Sequence, residues 1–317
     1  MKIPLGPKRL ASVLWSGANR AIRAARERGL FESTRLPVRT IGIGNVQAGG
    51  SGKTPLTIRL ARDAIGAGLQ VAVLLRGYRG AWERTGGILT PFEPAPSPAL
   101  CGDEAALIRD QVPGIWIGVG ANRTVSFEEL QYAATRTGRP FDLVILDDAY
   151  QHWKILCDRY VVAVTDTKFG ERVFRDDYSA VRAEDLVVLT KGEGFPAALA
   201  VHLNRVRARY RMKPGNSEVR YRFVAAIGDP ERARASLADA GYTIEEMSVF
   251  PDHHAFSLAE VEKIVEEADS TGTTILLTGK DWVKWRALGI SAETIEVVEP
   301  EIEILEGETL WKNLLEE

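Results

Sequence analysis

The sequence has few cysteines and no long apolar segment. Its 317 residues include only two cysteines, Cys101 and Cys157, which lie far apart and match no metal or redox spacing. This usage is typical of a reducing, cytosolic compartment and argues against a disulfide framework. No apolar run reaches the roughly 18 residues that a membrane-spanning helix requires, and no signal peptide is recognisable.

An excess of one charge is also lacking over the whole chain. There are 40 lysines and arginines against 43 aspartates and glutamates, a net charge of −3, so we expect no nucleic-acid partner. A hydrophobic fraction of 45% and a charged fraction of 26% are those of a soluble globular protein. No internal repeat or low-complexity segment is present, and the length allows two domains.

The clearest motif is a glycine-rich segment that follows a short apolar strand. It ends in Gly-Lys-Thr and runs into a helix predicted for residues 56–67. This order predicts a P-loop, in which backbone N–H groups, the helix N-terminus and the Lys53 ammonium hold the phosphates of ATP. The Thr54 hydroxyl is a candidate Mg²⁺ ligand. The predicted phosphate-binding residues are Gly49, Gly50, Ser51, Gly52, Lys53, Thr54 and Pro55.

Two other interpretations of this segment stay open. The general P-loop pattern has a glycine five residues before Gly52, where this chain has Gln47, so one alternative is a glycine-rich turn without a ligand. The other is the deviant loop of dimerising partner-switch ATPases, whose first lysine would fall on Ala48. The alanine counts against this second alternative.

Polar side chains follow two predicted strands of the same region. One continuous apolar strand ends in Asp147 and Asp148, a Walker-B-like ending that predicts Mg²⁺ ligands. An earlier strand, at residues 71–75, leads directly into Arg76-Gly77-Tyr78. Because open α/β sheets bind ligands at the carboxyl ends of their strands, these side chains are candidate site residues. For the arginine, a surface turn is the alternative.

Two further motifs pair carboxylates with helix starts or histidines. Asp103 and Glu104 begin a predicted helix, where they act either as ordinary helix N-terminal acids or as carboxylates directed at a reaction centre. The Asp252-His253-His254 run has no third soft metal ligand nearby. We therefore favour an Asp–His proton-transfer pair over a zinc site.

The N-terminal segment differs from the rest in charge. Residues 1–40 contain nine basic and two acidic residues, a net charge of +7. Residues 8–28 have the apolar spacing of an amphipathic helix, with Trp15 near the polar boundary. Such a helix either packs on its own domain or lies in the surface of an anionic membrane.

Alternating strand and helix patterns predict an α/β fold with a mostly parallel, P-loop NTPase-like sheet flanked by helices. A turn-rich stretch at 213–217 predicts a domain boundary. The predicted units are a basic N-terminal helix at 1–30, a kinase core at 31–214 and a smaller C-terminal α/β lobe at 215–317.

The motifs taken together resemble the tetraacyldisaccharide 4′-kinase family, the lipid A kinases of Gram-negative bacteria. Order and spacing match from the basic helix to near the C-terminus, and the family's P-loop also lacks the early glycine. The resemblance rests on Gly-Asn-Val-Gln-Ala-Gly-Gly-Ser-Gly-Lys-Thr-Pro (44–55), Arg-Gly-Tyr (76–78), Gly-Asp-Glu (102–104), Asp-Asp-Ala-Tyr-Gln-His (147–152), Arg-Asp (175–176), Asp-His-His (252–254) and Lys-Asp (280–281).

The resemblance implies an ATP- and Mg²⁺-dependent kinase of lipid A biosynthesis. Its substrate would be a tetraacylated glucosamine disaccharide 1-phosphate, phosphorylated on the 4′-hydroxyl to give lipid IVA. The expected location is the cytoplasmic face of the bacterial inner membrane, with the N-terminal helix as the membrane contact. A P-loop kinase of another sugar or polyol, and a nucleotide-switched assembly ATPase, remain the alternatives.

The resemblance also implies roles for individual residues. The catalytic carboxylate falls on Asp103 and its partner histidine on His253. The metal ligands fall on Thr54, Asp147, Asp148 and Asp176. The expected substrate-binding residues are Arg76, Tyr78, Arg123, His152 and Arg175, and the sequence does not rank the three arginines.

This chain departs from the family pattern at several positions. Residues 75–79 read Leu-Arg-Gly-Tyr-Arg in place of Ser-Arg-Gly-Tyr-Gly, and Ala149-Tyr150 replace Gly-Phe. Asp177 stands where the family has a proline, and Gly279 where it has a glutamate. These departures bear on the acyl pattern and sugar headgroup more than on the kinase chemistry.

Overall fold

A nine-stranded sheet forms the centre of the larger lobe in the computed structural model, which describes residues 6–30, 32–48, 52–168 and 171–316. The strands are β1 (Thr34–Arg35), β2 (Thr40–Asn45), β3 (Val71–Leu75), β4 (Gly87–Leu89), β5 (Trp116–Val119), β6 (Leu143–Leu146), β7 (Ile155–Leu156), β8 (Arg159–Thr165), β9 (Leu186–Lys191), β10 (Arg205–Arg211), β11 (Arg220–Ala225), β12 (Thr243–Val249), β13 (Thr274–Thr278), β14 (Ile295–Val298) and β15 (Glu301–Glu306). The helices are α1 (Pro7–Glu27), α2 (Lys53–Gly66), α3 (Trp82–Thr85), α4 (Pro98–Cys101), α5 (Asp103–Gln111), α6 (Arg123–Thr135), α7 (Pro230–Asp239), α8 (Leu258–Thr271), α9 (Gly279–Ala287) and α10 (Glu308–Glu316).

The large sheet is mostly parallel and buried on both faces. Its strand order is β15-β10-β9-β8-β2-β6-β3-β5-β4, and only the edge pairs β10–β15 and β4–β5 are antiparallel. Apolar side chains of α2 and α5 cover one face, and those of α6 cover the other. This two-sided burial explains the continuous apolar runs of the central strands, and it confirms the predicted α/β fold.

The smaller lobe repeats the same architecture. Its sheet has the order β12-β11-β13-β14, with all neighbours parallel. Side chains of α8 and α9 pack on one face, and Leu237 of α7 packs on the other. The predicted alternation of strand and helix beyond residue 215 is therefore present.

The division between the lobes differs from the predicted one at the C-terminus. Residues 215–317 were expected to form one unit, but β15 pairs with β10 and joins the large sheet. The indole N–H of Trp311 in α10 donates to the Asp63 carboxylate of α2 at 2.8 Å. Burial of Ile302, Trp311 and Leu314 in the core of the large lobe stabilises the return, and the exposed pairs of Arg207 and Arg209 with Glu306 and Glu303 add to it.

Parallel strands bring the functional loops to one edge. The loops after β2, β3 and β6 all leave the carboxyl ends of adjacent strands, and they carry the P-loop, Arg76 and the Asp147–Asp148 pair. The second lobe adds its own loop after β12 and the N-terminus of α9. These segments form the candidate site.

Candidate active site

The P-loop lysine lies at the first position of α2, next to the Walker-B-like pair. Its Nζ is 3.3 Å from Asp148 Oδ1 and donates to Asn45 Oδ1 at 3.2 Å. Gly52 caps the helix with a φ of +82°, a conformation that glycine adopts without strain. Gly49, Gly50 and Ser51 lie outside the described residues, so the described part of the predicted loop runs from Gly52 to Pro55.

The pKa values of the two aspartates after β6 are shifted in opposite directions. Asp147 is buried and accepts a hydrogen bond from Thr57 Oγ1 at 2.8 Å. Burial, followed by the neighbouring Asp148 charge, raises the pKa of Asp147. Partial burial pushes the pKa of Asp148 up as well, but Lys53 and Arg175 outweigh it and the pKa is lowered overall. Asp148 is therefore the ionised partner that faces the P-loop lysine.

Asp103 and His253 form the predicted pair across the two lobes. Asp103 begins α5, and its Oδ2 is 3.0 Å from His253 Nδ1. The other ring nitrogen, Nε2, is 3.1 Å from Lys280 Nζ. An ammonium can only donate, so Nε2 carries the lone pair and the ring proton lies on Nδ1. The imidazole therefore donates its N–H to the Asp103 carboxylate.

Positive charge keeps Asp103 ionised. Burial alone would raise its pKa, but the hydrogen bond from His253 and the nearby Lys284 and Lys280 ammonium groups reverse that effect. The pKa of Asp103 is therefore lowered overall. An ionised, half-buried carboxylate at a helix N-terminus is a suitable proton acceptor for a hydroxyl group.

Glu104 connects the two clusters electrostatically. Its pKa is raised, first by burial and then by the Asp147 charge. Lys280 and His253 of the second lobe, and Lys53 of the P-loop, all act in the opposite direction on the same carboxyl group. In the sequence, the only signal for Glu104 is its place beside Asp103 in Gly-Asp-Glu, which does not distinguish it from an ordinary acid at a helix N-terminus.

The predicted substrate residues fall into separate groups. Arg175 Nη1 is 3.4 Å from the Asp148 carboxylate, which places it beside the P-loop lysine. Arg123 is buried and donates to His152 Nδ1 at 2.7 Å and to the Asp147 carbonyl at 3.3 Å. Burial, followed by the Arg123 charge, lowers the pKa of His152 to about 3, so this histidine is neutral.

Two others lie after β3. The ring of Tyr78 meets the His253 ring edge-on, with centroids 5.5 Å apart. Arg76 is exposed and pairs with Glu83 of α3 at 2.7 Å. The structure thus brings Tyr78 to the Asp103–His253 pair, whereas Arg76 lies in a surface ion pair.

Asp176 does not join the other expected metal ligands. Its carboxylate is buried and accepts two hydrogen bonds from Arg23 of α1, at 2.6 and 2.7 Å. Both carboxylate oxygens of Asp176 therefore take part in the contact between α1 and the core. For this reason we leave Asp176 out of the magnesium-binding set proposed below.

The contact between α1 and the core is polar. Ser12, Ser16 and Asn19 are the buried residues of this helix. Ser12 Oγ accepts from the Phe174 N–H at 2.9 Å, and Asn19 donates to the Arg175 carbonyl at 2.6 Å. The apolar side chains, by contrast, point outward: Leu10, Val13, Leu14 and Trp15 are between 46% and 65% exposed.

Two negative findings apply to the residues that the structure describes. None of their helices is long and apolar enough to cross a membrane. They also contain no group of three or more histidine, cysteine or acidic side chains arranged to hold a metal ion. In the Asp-His-His run, His254 pairs with Glu260 at 3.2 Å and not with a shared ligand set.

The fold and the site together define a P-loop phosphotransferase: the P-loop lysine lies beside an aspartate pair, and a carboxylate–histidine pair joins the two lobes. The chain belongs to the tetraacyldisaccharide-1-phosphate 4′-kinase family, whose model matches residues 8–317. This membership confirms the resemblance seen in the motifs.

Individual relatives agree with the family match. The chain is 32% identical to the tetraacyldisaccharide 4′-kinase of Chromobacterium violaceum over 83% of its own length and 79% of that protein. It is 33% identical to the enzyme of that name from Paramagnetospirillum magneticum, over 83% of this chain and 81% of the relative. A crystal structure of LpxK from Aquifex aeolicus in complex with ATP has a similar fold, with a TM-score of 0.71, 21% identity and 96% coverage of both chains.

Proposed function

We propose that this protein transfers the γ-phosphate of ATP to the 4′-hydroxyl of a tetraacylated glucosamine disaccharide 1-phosphate, forming lipid IVA in lipid A biosynthesis. Family membership supports the reaction. The observations that carry the residue assignment are two short contacts: Lys53 Nζ is 3.3 Å from Asp148 Oδ1, and Asp103 Oδ2 is 3.0 Å from His253 Nδ1. We infer that a phosphate donor and a proton acceptor face one cleft.

On the donor side, Lys53 and the loop amides hold the β- and γ-phosphates. The oxygen ligands Thr54, Asp147 and Asp148 fit Mg²⁺, which prefers hard oxygen donors. Asp147 is buried beside a second carboxylate, and this raises its pKa. A bound divalent cation would favour the ionised carboxylate and so lower that pKa. When bound, the ion neutralises charge on the phosphates.

On the acceptor side, Asp103 takes the proton of the 4′-hydroxyl as that oxygen attacks the γ-phosphorus. His253 orients the carboxylate through its Nδ1–H. Arg175, 3.4 Å from Asp148, is placed to neutralise the transferring phosphate. Arg123, His152, Tyr78 and Arg76 are candidates for holding the sugar and its 1-phosphate.

The outward apolar side of α1 supports membrane docking. A helix that only packs on its own domain buries its apolar side, and α1 buries serines and an asparagine instead. A basic helix with exposed leucines and a tryptophan can lie in the interface of an anionic bilayer. We infer that α1 brings the enzyme to its acylated substrate, at the cytoplasmic face of the inner membrane.

The test is transfer of labelled phosphate from γ-³²P-ATP to the lipid disaccharide 1-phosphate in mixed micelles. Lys53→Ala and Asp103→Asn are each expected to lower kcat by about 10² or more. Two variants are the matched controls and should retain turnover: Asp110→Asn, on the same helix as Asp103, and Lys263→Ala, at an exposed position of α8. Wild-type turnover in both site variants would refute the residue roles, and transfer to water-soluble sugars without lipid would refute the substrate.

A further inference from the structure

Lys284 is a buried lysine of α9 that touches the proposed base. Its side chain is 8% exposed, and its Nζ is 2.9 Å from Asp281 Oδ1 and 3.5 Å from Asp103 Oδ2. The ammonium also lies 5.7 Å from the centre of the Phe256 ring. A buried ammonium needs a counter-ion, and Asp281 already provides one. The contact with Asp103 is therefore additional to what burial of the lysine requires.

Asp281 is itself a fixed anchor. It is fully buried, and its Oδ2 accepts from the Ala226 N–H at 3.0 Å and from Thr278 Oγ1 at 3.1 Å. These contacts tie the carboxylate to the end of β11 and to the start of α9. Because Asp281 cannot move freely, the ammonium that it holds occupies a defined position.

Both contacts with the base reach the same oxygen. His253 Nδ1 and Lys284 Nζ lie near Asp103 Oδ2, and among the described residues no side chain forms a hydrogen bond with Oδ1. Lys280 and Lys284 are one turn apart on α9 and so lie on one face of the helix. That face serves both members of the pair, since Lys280 contacts His253.

We propose that Lys284 is a positioning residue for phosphoryl transfer. Its ammonium, held by Asp281, fixes the Asp103 carboxylate through Oδ2 and leaves Oδ1 to accept the proton of the attacking hydroxyl. The proposal rests on the role of Asp103 proposed above. The O–H bond of the acceptor breaks, its proton goes to Oδ1, and the freed oxygen bonds to the γ-phosphorus of ATP. The bond between that phosphorus and the oxygen bridging the β- and γ-phosphates breaks, and ADP leaves with the electron pair.

The main test compares Lys284→Met with Lys284→Arg in the full-length enzyme, with kcat and KM measured between pH 5 and 9. Lys284→Met is expected to lower kcat about ten- to a hundred-fold, a range set by what a misplaced catalytic group costs. KM for ATP should stay within about two-fold of wild type, because no described residue of the P-loop forms an ion pair or hydrogen bond with this lysine. Lys284→Arg keeps the charge and should retain more turnover.

The pH profile separates positioning from folding. The charged or titratable groups near Asp103 are Lys284, Lys280, His253, Cys101 and Glu104. Loss of the Lys284 charge removes one influence that lowers the pKa of Asp103, so the acid limb of kcat should move to higher pH. A purely structural role would lower kcat equally at every pH.

Two more variants keep the test decisive if Lys284→Met folds poorly. The double variant Asp281→Asn/Lys284→Met removes both buried charges and still leaves an acceptor for the Ala226 N–H, so it should fold and show the same acid-limb shift. Arg286→Met breaks an ion pair with Asp110 between the same two helices and should change neither kcat nor the limb. An unchanged limb in the double variant overturns the proposal. Full activity of Asp103→Asn instead overturns the underlying base assignment.

Discussion

Two of the proposed site residues have a strained backbone conformation, which is evidence for a functional role. Asp148 has a φ of +49° and His253 a φ of +62°, and neither is glycine. Left-handed conformations of this kind cost free energy and persist only where surrounding contacts hold them. For His253, the backbone N–H donates to the Ala226 carbonyl at 3.2 Å, and Arg79 donates to the neighbouring Asp252 carbonyl at 3.0 Å. These contacts fix the loop and thereby the direction of the His253 side chain.

The imidazole tautomer of His253 can be tested directly. We expect the wild-type ring to carry its proton on Nδ1, because Lys280 Nζ donates to Nε2 at 3.1 Å. In Lys280→Met the Nδ1 proton should stay, because the Asp103 carboxylate still accepts it, whereas Nε2 loses its hydrogen-bond donor and its ¹⁵N signal should shift. Side-chain ¹⁵N NMR distinguishes the protonated nitrogen from the free one.

His202 provides the internal reference for this measurement. Its Nε2 is 2.8 Å from the Asp185 carbonyl, which can only accept, so its proton lies on Nε2. The His202 signals should be the same in wild type and Lys280→Met. A wild-type His253 ring that carries its proton on Nε2 would contradict the hydrogen bond described from Nδ1 to Asp103.

At the scale of elements, the apolar side of α1 is the feature that calls for a binding partner. Val13 and Leu14 are 48% and 65% exposed, so replacing them with aspartate removes little packing within the protein. Burial of one leucine side chain in a bilayer contributes roughly 1.5–3 kcal/mol. The double variant Val13→Asp/Leu14→Asp should therefore bind anionic vesicles at least about ten-fold more weakly, with an unchanged thermal midpoint.

A matched exposed leucine serves as the control for this experiment. Leu258 of α8 is 45% exposed, and Leu258→Asp should leave co-sedimentation with vesicles unaltered. Vesicles of neutral lipid should bind all three proteins less well, since the basic residues of α1 contribute through the surface potential. Equal binding of the double variant and wild type would leave α1 with a packing role only.

How far the sequence predicts these elements depends on how local their signals are. The strand, the loop and the helix around Lys53 were predicted because glycines and Lys-Thr form a contiguous pattern. The role of β15 was missed, because its glutamates acquire meaning only beside Arg207 and Arg209, about a hundred residues earlier in the chain. Lys284 was missed for the same reason, since its face of α9 is defined only when α9 packs against α5.

At the scale of the whole molecule, the two lobes meet along α5 and α9, next to the site. Glu299, in the turn between β14 and β15, lies against Gly279 at the start of α9: a Cβ built on that glycine would be 1.3 Å from Glu299 Oε1. Among the described residues Oε1 has no hydrogen-bond partner. Burial disfavours the ionised form of this carboxyl group more strongly than its hydrogen bonds with Gln111 and the Gly279 backbone favour it, which makes the lobe interface sensitive to pH.

Stability of the assembled lobes should consequently fall as pH rises through a defined window. Burial is the main cause that raises the pKa of Glu299 from 4.5 to about 7. Between these two values the unfolded chain releases the proton while the folded chain keeps it, so unfolding becomes easier with rising pH.

Glu299→Gln removes this titration and should raise the thermal midpoint at pH 8 relative to wild type, by roughly 2–4 °C for a free-energy gain on the order of 1 kcal/mol. At pH 4, below both pKa values, the two proteins should melt nearly together, because Glu299 is then mostly protonated in the folded and the unfolded state. Glu303 is the control: its pKa is lowered by the hydrogen bond from Arg209, so Glu303→Gln should bring no gain at pH 8. A difference between Glu299→Gln and wild type that is the same at pH 4 and pH 8 would show that Glu299 does not titrate in this range.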